Sequence, residues 1–192
     1  MMNLMQRAVL GAVAMAAVLA AAPALAESKT VNAFAPFDGE GKVYLTGAKN
    51  GTFVGAIAGD LFVESDKGPL LAGRIVCPGM IEINLENGTE AGSGQCTITA
   101  TDGAMAFAVW SCRGVHLVGC NGRLMLVGGT GRAEGISGSG PVSVRTTARG
   151  LVKLAADKDS VTSLGRGMLI LRGFKFAVPD KDAGAATGGP AQ

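Results

Sequence analysis

The chain is 192 residues long, 48% hydrophobic, with 17 Lys and Arg against 15 Asp and Glu and only nine aromatic residues. A near-neutral balance with no basic cluster excludes nucleic acid as a dedicated partner. Its 30 glycines are well over twice the usual share of about 7%; with no G-x-y period they exclude collagen and point to many turns and bulges.

The N-terminus has Arg7, an apolar run from Ala8 to Leu19, and then "AAAPALA", in which Ala24 and Ala26 frame a small-x-small site. Basic start, short apolar stretch and A-x-A site together predict a secretory signal peptide over residues 1–26, cleaved after Ala26. Pro23 and the cleavage site argue against a retained membrane anchor. The remaining chain, from Glu27, is expected in the periplasm or the extracellular space. Its length suits one domain with its own core.

Residues 27–40 read as an N-terminal extended segment and residues 41–178 as the folded domain. From Gly41 onward apolar residues recur at every second position, the mark of half-buried strands. Val43 and Leu45 alternate in "KVYLTG"; Ile81, Ile83 and Leu85 do so in "MIEINLEN"; Cys96, Ile98 and Ala100 face away from Thr97, Thr99 and Thr101 in "QCTITAT". Asn50-Gly51, Asn87-Gly88, Asp102-Gly103 and Asn121-Gly122 are turn dipeptides, because Asn and Gly accept positive φ at little cost. Two of them also match the glycosylation sequon, which the turn reading makes unnecessary. Residues 151–164 are the one stretch able to hold a helical turn or two. The last strand is expected over residues 167–178, with Met168, Ile170, Phe174 and Phe176 on one face and Arg172 interrupting it. Beyond Pro179, "DKDAGAATGGPAQ" is small and polar, and residues 179–192 read as a disordered tail. Eight to ten strands joined by short loops make an all-β antiparallel sandwich or barrel.

Cys77, Cys96, Cys112 and Cys120 all lie in the exported part. An even count in an oxidising compartment predicts two disulfides, and the wide gaps between them lack the C-x-x-C pairs of a metal site, so no metal is expected. Pairing Cys77 with Cys96 and Cys112 with Cys120 asks least of the backbone. The rival is Cys96 with Cys112, which lie on opposite arms of the Asp102-Gly103 hairpin but out of direct register.

"GGTGRAEGISGSG", residues 128–140, invites a phosphate-loop reading that its own residues refuse. Glu134 stands where a dinucleotide fingerprint needs its third glycine, Pro141 opens a strand and not a helix, and no Gly-Lys-Ser or Gly-Lys-Thr occurs. Gly128, Gly129, Thr130 and Gly131 are therefore expected to form a structural turn, and no cofactor is expected. The same stretch resembles the G-G-T-G-[KR]-aromatic-x-G-x-x-G signature of the allene oxide cyclase and dirigent-like barrels and of uncharacterised bacterial exported proteins. "GQC", "TDGA", "AVWSC" and "GCNG" upstream extend the resemblance over about residues 94–140. It implies a single antiparallel β-barrel of about eight strands. Ala133 replaces the signature's aromatic residue, and no constellation here matches the plant enzymes' catalytic residues, so a fold is implied and not an active site.

Individual chemical groups are sparse. His116 is the sole histidine and reads as a loop or edge residue; Ser111, Ser137 and Ser139 lack a partner base other than His116. Glu82, Glu86, Asp60 and Arg172 read as solvated. The reading is an exported, non-catalytic barrel that binds a small apolar ligand or a protein partner, with Phe107, Val109, Trp110, Leu124, Leu126, Ile170 and Arg172 as candidate lining residues. The alternative is an isomerase or cyclase acting on a hydrophobic substrate in the barrel, which needs convergent polar groups such as an inward Glu82 or Arg172. An integral outer-membrane barrel is disfavoured by the cysteines, the missing aromatic girdles and the polar tail.

Overall fold

The computed structural model describes residues 28–147, 153–157 and 160–179. The proposed signal peptide and the C-terminal tail lie outside the described residues. Among the described residues nine strands follow in chain order: β1 (Ser28–Gly47), β2 (Asn50–Ser65), β3 (Gly68–Asn84), β4 (Thr89–Ala100), β5 (Met105–Val115), β6 (Gly119–Gly129), β7 (Ser137–Thr147), β8 (Lys153–Asp157) and β9 (Ser160–Ala177). Every pairing is antiparallel. The order runs β1 through β7 and then β9, and β9 pairs back onto β1 from Ala177 to Ser160. Eight strands therefore close into an up-and-down barrel without a free edge. β8 adds only a short ladder beside the start of β9.

Three sequence expectations change. Residues 28–40, read as an extended segment ahead of the barrel, are extended and form the first part of β1, where Ala33, Ala35 and Phe37 enter the core. The stretch read as helical is strand where described, in β8 and at the beginning of β9, because its alternating residues can pair with a sheet. Two turn dipeptides lie in strands: Asn50-Gly51 opens β2 after a turn at residues 48–49, and Asn121-Gly122 lies inside β6, after a turn over residues 116–118. Gly122 faces the Ser111–Cys112 backbone so closely that an added Cβ would strike the Ser111 carbonyl.

The glycines explain how a barrel this narrow accommodates rings. The ring of Phe37 lies over Gly167 of β9, that of Phe53 over Gly41 and Gly55, that of Phe174 over Gly140, and the indole of Trp110 over Gly79, Gly92 and Gly94. In each case a side chain crosses the inner wall where its neighbour has none. Elsewhere a glycine answers a backbone demand: Gly173, with φ of 58°, sits in a bulge where Arg172 and Gly173 oppose the single residue Asn32. The Asn32 Oδ1 accepts the Gly173 N–H at 2.8 Å and closes the bulge.

One half of the barrel is filled. Around the β2–β3, β4–β5 and β6–β7 connections, Phe37, Leu61, Ile75, Ala106, Leu126, Leu171 and Phe174 are buried together. "GGTGRAEG" forms part of that end as a structural connection: Gly128 and Gly129 finish β6, Thr130 precedes a three-residue 3-10 turn (Gly131–Ala133), and Gly131 has φ of 62°. The Thr130 N–H donates to the Met105 carbonyl at 2.7 Å, and Arg132 pairs with Asp102 at 2.6 Å, tying this connection to the β4–β5 turn.

Candidate functional site

The other half of the barrel is not filled, for a reason legible in side-chain volume. Its inward positions include Gly55, Gly79, Gly92, Gly94, Gly114 and Gly122, and the four cysteines. These small residues leave a cavity of about 70 Å³ lined by Phe53, Ile57, Ile81, Trp110, Leu124 and Val144, with all four cysteines among the remaining lining residues.

Both disulfides take the least demanding pairing. Cys77–Cys96 joins β3 to β4 with Cα atoms 4.1 Å apart, and Cys112–Cys120 joins β5 to β6 at 5.6 Å. Each cross-links neighbouring strands of the cavity wall, so the least densely packed part of the barrel is the part held covalently.

Trp110 lines this cavity, whose accessible wall is wholly apolar. Its Nε1 is buried without a hydrogen-bond partner. Leaving such a donor unsatisfied costs about 1–3 kcal/mol, and a well-packed apolar wall gives no compensation for it. This N–H lies in the wall beside Gly94.

The residues expected to line the interior divide by strand parity. Trp110 and Leu124 do line the cavity, and Leu126 points inward into the filled half. Phe107 and Val109 alternate with the buried Ala106, Ala108 and Cys112 and stand on the outer face. Ile170 and Arg172 alternate with the buried Leu169 and Leu171 and are likewise outside. The bulge at Gly173 then changes the phase, so that Leu169, Leu171, Phe174 and Phe176 share the inner face, in place of Met168, Ile170, Phe174 and Phe176. Glu82, Glu86 and Asp60 are exposed, as expected.

Sequence reasoning missed Glu90. It shares its parity on β4 with Cys96, turns inward, and keeps a side chain only 8% exposed beside the Nδ1 of His116, 3.2 Å away. The even spacing from Cys96 back to Glu90 was the available signal.

No family model matches the sequence, and no curated protein matches it. Among solved structures, that of a pterocarpan synthase dirigent protein aligns with 81% of this chain and 88% of its own, at 13% identity and a TM-score of 0.32. The barrel stands on the closed ladder of this chain, independently of that alignment.

Proposed function

We propose that the protein is an exported, non-catalytic barrel that binds one small, largely apolar molecule against Trp110. One observation carries the reading: an apolar cavity lined by Trp110, whose indole N–H is buried and unpartnered among the described residues. The favoured ligand has an aliphatic body and one acceptor, such as a carbonyl or ether oxygen. The cavity is about half the size of the engineered apolar cavity of roughly 150 Å³ that admits benzene. The ligand is therefore smaller than benzene, or is the tip of a longer chain.

Export rests on the residues 1–26 pattern, and two disulfides fit an oxidising compartment. The charges Asp38, Glu40, Asp60, Arg74, Arg123 and Arg166 stand on the outer wall and the apolar residues inside, the reverse of a barrel that spans a bilayer. Kinship with the allene oxide cyclase and dirigent-like barrels is part of the proposal and rests on the glycine motif of residues 128–140. The isomerase alternative is less well supported, since Glu82 and Arg172 stand outside and the inward carboxylate, Glu90, is engaged by His116.

Trp110 is the single tryptophan of the chain, so its emission reports on the cavity. Titration with xenon under pressure and with acetone should change that emission saturably, and a Val144→Phe variant that folds with an unchanged circular dichroism spectrum should lose both responses. No saturable response to either probe in the wild-type protein would remove the reading.

A further inference from the structure

At the end of the barrel opposite the filled half, three hairpin tips form one connected rim. The Leu85 N–H donates to the Lys49 carbonyl, the His116 N–H to the Gly88 carbonyl and the Thr146 N–H to the Val118 carbonyl, linking the β1–β2, β3–β4 and β5–β6 tips and β7 in sequence. Each tip presents an aliphatic side chain to solvent: Leu45 is 72% exposed, Leu85 47%, Leu117 40% and Val118 57%. Exposed aliphatic side chains also stand elsewhere on the barrel, Leu70, Leu71 and Val127 among them, but at this end they sit on or beside adjoining tips that polar residues normally occupy and call for a partner.

Leu117 adds an independent sign. Its φ of 66° makes it the one non-glycine residue with positive φ among the described residues. A leucine there is strained relative to glycine or asparagine, and its exposure means that burial in the barrel does not offset the strain. The fold alone would be better served by another residue.

The charges beside the tip say what the partner is. β5, β6, β7 and β9 contain no Asp or Glu; Arg145, opposite Gly119, and Arg113, opposite Asn121, stand on the outer wall beside the β5–β6 tip, and Arg123 lies further along β6, opposite Ser111. Arg123 donates to the Ser139 hydroxyl and Arg145 to the Asn121 side chain and the Val144 carbonyl, so none of the three is paired with a carboxylate among the described residues. Among the described residues of this end, Glu86 is paired with Lys49 and Glu90 with His116, and Glu82 stands on the outer wall across Ala91 from Arg113. We propose that this rim is a membrane-docking face: Leu117 and Val118, flanked by Leu45 and Leu85, enter the interface of an anionic phospholipid bilayer while Arg113 and Arg145 meet its phosphates. Aliphatic tips with an arginine collar match both layers of such a surface, apolar chains beneath and anionic groups above. The proposal does not depend on the ligand reading.

Sedimentation of the full exported protein with vesicles tests it, using phosphatidylcholine alone and phosphatidylcholine mixed with phosphatidylglycerol. Binding should appear on the mixed vesicles and weaken with salt. Arg113→Gln and Arg145→Gln should each lower affinity for the mixed vesicles about five-fold. Leu117→Asn should lower it about tenfold while leaving Tm unchanged or higher, an outcome opposite to that of a leucine kept for the fold. Failure of the wild-type protein to bind mixed vesicles would overturn the proposal, as would binding that all three variants leave intact. Self-association without lipid, dispersed by Leu117→Asn, would assign the rim to a second copy of the chain and overturn it too.

Discussion

Gly79 shows how narrowly single residues define the cavity. A Cβ there would meet the indole of Trp110 and lie 2.8 Å from the Ser93 carbonyl. Gly79→Ala should therefore displace the ring, destabilise the fold by about 1–3 kcal/mol and shift the tryptophan emission, whereas Gly88→Ala, in open space at φ of 71°, should cost only the backbone strain of about 1–2 kcal/mol and leave emission unchanged. Denaturant titration followed by fluorescence separates the two. Leu124 is the complementary case, a fully buried side chain on the cavity wall. Leu124→Ala should cost about 2–5 kcal/mol and enlarge the cavity, so that it admits larger probes than the wild type.

At the scale of strands, what was legible followed from how sharply each strand distinguishes its two faces. β4 alternates cysteine and isoleucine with threonine, and Cys96 and Ile98 do face inward. β5 is apolar on both faces, and its larger residues, Phe107 and Val109, lie outside because the inner wall there is restricted to Ala106 and Ala108 beside the indole. Cys112 fixed the correct parity for Trp110, but volume alone favoured the wrong one. In β9 a bulge at Gly173 breaks the period of two, and Arg172 on the outer side was its trace in the sequence. The cavity itself was not legible, since it arises from glycines on different strands becoming neighbours only after closure. The disulfides were legible because strand and turn lengths limit which cysteines can meet. Their loops predict unequal contributions: with sequence separations of 19 and 8, chain entropy gives about 3 kcal/mol for Cys77–Cys96 and about 2.5 kcal/mol for Cys112–Cys120. Replacing the first pair by alanines should lower Tm more than replacing the second, and calorimetry of the two double variants checks the order.

The whole molecule is closed by its most distant partners, β1 and β9, and the Asp38–Arg166 ion pair at 2.7 Å joins residues 128 apart in sequence. Such non-local closure predicts slow folding, in milliseconds to seconds; disulfide-intact protein diluted from denaturant should refold on that scale by stopped-flow fluorescence, and microsecond refolding would contradict the closure step. Closure also creates the apolar space beside Trp110 on which the functional reading depends. Because the chain has a single tryptophan, a 15N-labelled sample gives a single indole N–H resonance. Titration with acetone should move its proton saturably downfield as the ligand's carbonyl accepts the Nε1–H; a resonance that stays in place, or drifts linearly without saturation, would contradict the binding of a small acceptor-bearing molecule in the barrel.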